Sequence, residues 1–188
     1  TSGPGATNIL TGLATAQADS APMIAVTGQV PVAMIGKDAF QESDIIGMAN
    51  PVVKYSFQPR LPGEVPEAVR KGFYIAETGR PGPVLLDIPK DVQQNEAPMD
   101  FPDEFTIRGY HPWNDPDLAS VQKAVDMLVN SERPIILAGG GTIISSAFAE
   151  LQSIAETLMI PVVTTFKGKG AFPENHPLSL GPIGMHGH

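Results

Sequence analysis

Residues 23–42 read MIAVTGQVPVAMIGKDAFQE, and the fold is decided here. Met23-Ile24-Ala25-Val26 is a short apolar run of the kind that makes a fully buried strand. Gly28 and Pro31 stop it, because one permits any backbone angle and the other removes an N–H. The next residues are expected to form a loop over the carboxyl edge of a sheet, carrying Met34, Ile35 and Phe40 beside Gln29, Lys37, Gln41 and Glu42. Apolar and polar groups mixed on one loop point to a lined pocket, and an ordinary strand exit with local packing is the alternative.

Upstream, Thr1-Ser2-Gly3-Pro4-Gly5 is loop chemistry, and Ala6, Ile9, Leu10, Leu13, Ala14 and Gln17 share one face of a predicted helix over 6–17. A Gly-rich turn that feeds a helix ordinarily comes off a strand, so a supplying strand is expected ahead of Thr1. Downstream, the pattern predicts a short helix over 42–48, a strand over 52–57 and a clear helix over 64–77. That last helix has a stripe of Val65, Ala68, Val69, Phe73 and Ala76. Arg80-Pro81-Gly82-Pro83 then turns the chain into the strand 84–88. Strand, helix, strand with apolar strands of this length is the signature of a parallel sheet with helices on both faces. Pro89-Lys90-Asp91 leaves at the carboxyl end, where such sheets bind ligands.

From 93 to 115 acidic residues and prolines dominate, which reads as an ordered, irregular linker, the alternative being a long surface loop. A second α/β unit is expected from 116 on. Asp115 caps a helix there, with Pro116 in its first turn and a buried stripe of Leu118, Val121, Val125 and Leu128. A strand over 135–138 ends in Gly139-Gly140-Gly141, a helix spans 145–158, and a strand over 161–165 exits into Phe166-Lys167-Gly168-Lys169-Gly170. The expected whole is α/β, with two incomplete domains. The second ends after two strands, leaving an open sheet edge for more chain, or another chain, to cover.

The 188 residues are 42% hydrophobic, enough for real cores. A net charge of −8 argues against a nucleic-acid surface, and no run of about 18 apolar residues marks a membrane span. Zero cysteines exclude disulfides and thiolate metal sites within these residues. A soluble, cytoplasmic protein is the expectation.

Gly139, Gly140 and Gly141, between a strand and a helix, let a phosphate-bearing ligand approach the backbone, and a plain tight turn is the competing reading. The exit 165–170 offers two glycines and two lysines for the other end of such a ligand. His176, His186 and His188 lack a carboxylate or cysteine at metal-binding spacing. There is no Walker loop, and Ser2 lacks the glycine two residues on that a nucleophile elbow needs. Arg80 reads either as an anion or cofactor ligand or as a charge at a helix C-terminus, and Lys90 either as functional or as a solvated surface charge.

Thr1-Ser2-Gly3-Pro4-Gly5-Ala6-Thr7-Asn8, Thr27-Gly28-Gln29-Val30-Pro31, Asp38-Ala39-Phe40-Gln41-Glu42, Gly79-Arg80-Pro81-Gly82-Pro83-Val84 and Gly184-Met185-His186-Gly187 together resemble the large subunit of acetolactate synthase, over essentially the whole chain. That family belongs to the thiamine-diphosphate enzymes. The resemblance implies that residues 1–92 are the back part of a pyrimidine-binding domain, 93–115 a linker, and 116–188 the front part of a central, FAD-binding-type domain. It places Pro4 and Asn8 beside the thiamine pyrimidine, Phe40 and Gln41 at the reacting carbon and substrate, and Lys90 near the substrate entrance. It lines FAD with Arg80, Gly139, Gly140, Gly141, Thr165, Phe166, Lys167, Gly184, Met185, His186 and Gly187. The glutamate that activates the cofactor and the motif for magnesium and the diphosphate fall outside the chain, so these residues alone are expected to be inactive. The implied reaction condenses pyruvate, after decarboxylation, with a second 2-oxo acid, in branched-chain amino-acid biosynthesis. The implied assembly is a homo-oligomer with a regulatory small subunit. Glyoxylate carboligase, a 2-oxo acid decarboxylase, a pyruvate oxidase or a non-catalytic nucleotide-binding module are the alternatives. Phe166-Lys167 departs from the two apolar residues often found there; the lysine suits a flavin phosphate or marks a relative with another substrate.

Overall fold

The computed structural model describes every residue except Met99, Asp103, Trp113, Asn114, His186 and His188. The chain divides into two compact units, Thr1–Asn114 and Asp115–His188.

The first unit runs α1 (Gly3–Thr7), α2 (Leu10–Asp19), β1 (Met23–Gln29), α3 (Ile45–Ala49), β2 (Tyr55–Phe57), α4 (Val65–Glu77), β3 (Pro83–Pro89) and α5 (Lys90–Gln94). Its strands are parallel in the order β1-β3-β2, with Met23 opposite Pro83 and Gln29 opposite Pro89. β3 is central, and its alternating side chains assign the two faces. Leu85 enters one core with Ala6, Leu13, Ala25, Ile45, Ala49 and Val53, under α1 to α3. Val84 and Leu86 enter the other with Ala68, Ile75 and Ala76 of α4. Burial on both faces explains why β3 reads as a continuous apolar run.

Several boundaries differ from the sequence reading. The helix over 6–17 is two pieces, because the turn at Asn8-Ile9 tightens: the Ile9 N–H donates to Ala6 O at 3.2 Å, three residues back. α3 starts at Ile45, where Asp44 caps it by accepting from the Gly47 N–H at 2.8 Å. β2 spans only Tyr55–Phe57, since Val53 packs into the core below α2 and α3 and Asn50–Val52 form a 3₁₀ turn. On α4, Phe73 is half-exposed and Ile75 is buried instead, a stripe rotated from the predicted one. The stretch after α5 is held against its own unit. Ile107 and Tyr110 pack on the α4 core, and the Tyr110 hydroxyl lies 3.2 Å from Lys54 Nζ. Lys54 also donates to Thr78 O at 2.7 Å, capping the carbonyl end of α4.

The second unit runs α6 (Leu118–Val129), β4 (Ile136–Ala138), α7 (Gly140–Ile144), α8 (Phe148–Leu158), β5 (Val162–Thr164) and β6 (Ser179–Pro182), again with parallel strands, in the order β4-β5-β6. β6 was not anticipated: Ser-Leu-Gly-Pro has no apolar run, yet it adds a third strand beyond β5. α6 is capped by Asp117, not Asp115; its carboxylate accepts from the N–H groups of Ala119 and Ser120. Leu118, Val121 and Val125 are exposed, so the stripe expected to be buried on α6 is open. The helix expected over 145–158 starts late, as α8 at Phe148, because Ser146 takes a left-handed φ of 55° and separates it from the short α7 that directly follows Gly139. Ala138, Ala155, Val162, Ala171 and Phe172 form the core.

Candidate functional site: the carboxyl edge of the first sheet

Because the three strands of the first unit are parallel, Gln29, Phe57 and Pro89 all finish at one edge. Just inside that edge sits Asp87, 0% exposed in an otherwise apolar strand. Its carboxylate is fully engaged. Thr27 Oγ1 donates to Oδ1 at 2.8 Å, while Gln29 Nε2 at 3.1 Å and Gln58 Nε2 at 2.7 Å donate to Oδ2. β1 and the residue just past the end of β2 thus contribute donors to one buried carboxylate, which is how such a group is tolerated.

Gln29 extends this network into the loop. Its Nε2 also donates to Ser43 O at 2.9 Å, and its Oε1 accepts from the Val30 N–H at 2.9 Å, so both roots of the 30–44 loop are tied to one side chain. Asp91 on α5 holds the near side, accepting from the Val32 N–H at 3.1 and 3.2 Å. At the tip, Glu42 accepts from the N–H groups of Gly36 and, at 2.9 Å, Ala39. These backbone donors, Gly36 first, hold its carboxyl below the usual value of 4.5.

The tip presents Phe40, which is 90% exposed, and Gln41, whose φ is +62°. The amino-terminal segment lies directly against it. A Cβ on Gly3, itself at φ +55°, would come within 2.4 Å of Gln41 O, so only glycine fits there. The Gly28 N–H donates to Thr1 O at 2.8 Å, fixing that segment beside the end of β1. Pro4, next to Gly3, is exposed beside the tip, Asn8 is exposed just after α1, and Lys90 is exposed where β3 exits. The structure therefore gathers Pro4, Phe40, Gln41 and Lys90 on one edge.

Arg80 is not among them. It precedes β3, at the other end of a seven-residue strand of about 20 Å. Its Nε donates to Ser20 Oγ at 2.7 Å, and its guanidinium lies 3.3 Å from Ala18 O and 3.5 Å from Gln17 O. It sits at the carbonyl end of a helix, but of α2 instead of the helix that precedes it.

In the second unit the glycine turn after β4 and the exit of β5 interlock. The Thr165 N–H donates to Ala138 O at 2.9 Å, and Thr165 Oγ1 accepts from the Gly168 N–H at 3.0 Å. A Cβ on Gly168 would fall 2.2 Å from Ala138 O, and one on Gly140 3.3 Å from Lys167 Cβ. Gly141 has open space where a side chain would be. Phe166 is 85% exposed beside them. Gly184, Met185 and Gly187 follow β6 on the same edge of that sheet, tied by the Ile183 N–H to Thr164 O at 2.9 Å. His186 lies outside the described residues, as does His188. His176 is engaged structurally, with Nε2 3.2 Å from Glu156 Oε1 and its ring edge-on to Phe172. No group of three or more metal-ligating side chains occurs among the described residues.

The sequence reading missed Asp87, Gln58 and Asp91 and gave Glu42 no role. One signal was available: a lone aspartate inside Val-Leu-Leu-Asp-Ile must find donors if the strand is buried.

Comparison with known proteins gives the family. Residues 1–48 match the family model "Thiamine pyrophosphate enzyme, N-terminal TPP binding domain", and 121–188 match "Thiamine pyrophosphate enzyme, central domain". The chain belongs to the thiamine pyrophosphate enzyme family. Over its full length it is 54% identical to the "Probable acetolactate synthase large subunit" of Methanocaldococcus jannaschii, covering 32% of that protein. It is 47% identical to the acetolactate synthase large subunit of Corynebacterium glutamicum, covering 30% of it. A solved structure described as "a putative thiamin diphosphate-dependent enzyme" from Mycobacterium smegmatis superposes with a TM-score of 0.79 at 26% identity. That match covers 98% of this chain and 35% of the other. The chain thus spans about a third of the length of the curated relatives it matches. The α/β class with parallel sheets, and the family named on motifs, are borne out.

Proposed function

We propose that these residues are part of an acetolactate synthase large subunit, which condenses pyruvate, after decarboxylation, with a second 2-oxo acid. The observation that carries this reading is the stapled loop tip, with Phe40 and Gln41 standing against the Gly3-Pro4 segment. Residues 1–92 then belong to a pyrimidine-binding domain, 93–115 to a linker and 116–188 to a central domain.

The residues present fit a thiamine group. An aromatic ring left in water at 90% exposure, beside a primary amide and a glycine with no room for a side chain, suits a flat heteroaromatic ligand. Bound thiamine diphosphate supplies an electron sink that pyruvate and a second 2-oxo acid lack. Around it, Pro4 and Asn8 would lie beside the pyrimidine. The Phe40 ring would exclude water from the reacting centre, and the Gln41 amide would donate to a substrate oxygen. Lys90, as a cation at the entrance, attracts 2-oxo acid anions.

FAD suits the second unit, where Gly139, Gly140, Gly141, Thr165, Phe166, Lys167, Gly184, Met185, His186 and Gly187 would line it. Support comes from the open backbone at Gly141 and the interlocked exits of β4 and β5. Arg80 joins that set by resemblance alone. By the same resemblance, magnesium would be held by the family's diphosphate motif and not by these residues. A homo-oligomer with a regulatory small subunit, in the cytoplasm, completes the reading; no helix among the described residues is long and apolar enough to cross a membrane.

The test is to supply the full-length protein with pyruvate, thiamine diphosphate, magnesium and FAD and to measure acetolactate. Acetolactate formation is expected. Acetaldehyde alone would point to a decarboxylase, and peroxide with acetate or acetyl phosphate to an oxidase; either result without acetolactate overturns the reading.

A further inference from the structure

We infer that Glu42 is a positioning residue: its carboxylate staples the tip of the 30–44 loop into the one backbone shape that presents Phe40 and Gln41 at the sheet edge. This rests on the function proposed above.

Three residues within six adopt left-handed angles, Gly36 at φ +81°, Asp38 at +54° and Gln41 at +62°. Two of them are not glycine, and L-residues leave that region unless something holds them. One side chain restrains both ends of this stretch. The Gly36 N–H donates to Oε1 and the Ala39 N–H to Oε2 at 2.9 Å, so the two carboxylate oxygens bridge both ends of the tip. The bridge is reciprocal, since the Glu42 N–H donates to Ala39 O at 2.9 Å. Lys37 adds a turn of its own, its N–H donating to Met34 O at 3.2 Å. Phe40 is exposed on this tip and has no packing that would fix it, so the ring's direction depends on the backbone beneath it. Gln41 is likewise exposed, and its carbonyl oxygen lies 2.4 Å from where a Cβ on Gly3 would stand, so the two backbones are in close contact. Shape here comes from hydrogen bonds to a carboxylate, not from burial. Aspartate, one methylene shorter, cannot span both N–H groups. Glutamine keeps one accepting oxygen and replaces the other with a donor.

The experiment compares wild type, Glu42→Gln and Glu42→Ala in the full-length protein, by acetolactate kinetics across pH and by trypsin cleavage after Lys37, which lies inside the stapled tip. For Glu42→Ala, kcat is expected to fall by about tenfold or more with the KM for pyruvate within about threefold, because orientation at the reacting centre is lost while uniform binding is kept. Cleavage after Lys37 is expected to quicken about tenfold, as the tip opens locally. Glu42→Gln falls between wild type and Glu42→Ala in both assays, with the pH profile unchanged in shape. Cleavage of Glu42→Ala no faster than wild type overturns the inference. So does a Glu42→Gln enzyme as slow as Glu42→Ala with one limb of the pH profile missing, which would make Glu42 a proton carrier. If wild type forms no acetolactate while the cleavage difference persists, the proposed function fails and the staple stands.

Discussion

Removing the carboxylate of Asp87 tests the foundation of the site. In Asp87→Ala, Thr27 Oγ1, Gln29 Nε2 and Gln58 Nε2 all lose an acceptor that lies at 2.7–3.1 Å. Thr27 and Gln29 are themselves buried. A buried donor left unpaired costs about 1–3 kcal/mol. Gln58 is only part-buried and can turn to water, and the Thr27 hydroxyl can rotate. Counting Gln29 in full and the others at the low end gives a loss of about 3–5 kcal/mol, much of an ordinary domain's stability. Asp87→Asn keeps one acceptor oxygen for the two glutamines, and the Thr27 hydroxyl can reverse to accept from the new amide, so about 1–2 kcal/mol is expected. Because Gln29 ties both roots of the loop, the loss should reach residues 30–44 as well as β1 and β3. Hydrogen exchange by mass spectrometry on the full-length protein reads this region by region, without assuming two-state unfolding. At about 1.4 kcal/mol per decade, Asp87→Ala should speed exchange in β1, β3 and the loop by about two to four decades, and Asp87→Asn by about one. Exchange in Asp87→Ala within about threefold of wild type would refute the reasoning, since the donors would then have found other partners at little cost.

Phe40→Ala should leave the melting midpoint within about 1–2 °C, because an exposed ring contributes little packing, yet lower acetolactate formation at least about tenfold; a normal rate removes Phe40 from the site. The Gly36 and Ala39 N–H groups favour the charged form of Glu42, so its staple should be intact above the ordinary value of 4.5 and lost only as pH falls through the lower value in the folded protein. The Gly36 amide NMR shift should therefore titrate with a midpoint below 4.5, and a midpoint above it would contradict the contact. Gly168→Ala forces a Cβ onto Ala138 O at 2.2 Å, so β4 and the exit of β5 must separate. Flavin retention after gel filtration should drop at least about tenfold, and full retention would place FAD elsewhere.

The strands were legible because burial on two faces demands continuous apolar runs, and Val84-Leu85-Leu86 has no other use. The hidden features share physical causes. β6 lies at the edge of its sheet, where pairing needs no apolar run, so Ser-Leu-Gly-Pro carried no signal. Ser146 turns left-handed without being glycine, which hid the break before α8. The open stripe of α6 shows the reverse limit: helical periodicity reports that a face is to be covered, not that its own unit covers it. The glycine clusters of the second unit were readable as a juxtaposition, since glycine at a strand exit has few other reasons to be there, and Gly168 against Ala138 is one of them.

The carboxyl edge of the first sheet divides along the same line. Phe40 and Gln41 are singled out by a motif, whereas Asp87, Gln58, Asp91 and Glu42, which hold the loop that carries them, act through hydrogen bonds that leave little periodic trace. Asp87 anchors the loop at its roots from inside the sheet, and Glu42 closes it at the tip from solvent. A bond to a buried acceptor resists exchange with water and an exposed one does not, so the two ends should fail separately. Loss of Asp87 should loosen the loop together with β1 and β3, whereas loss of Glu42 should loosen the tip and leave both strands as protected as before. If both variants instead loosened the same residues by the same amount, root and tip would be one cooperative element, and Phe40 and Gln41 would owe their placement to the sheet alone.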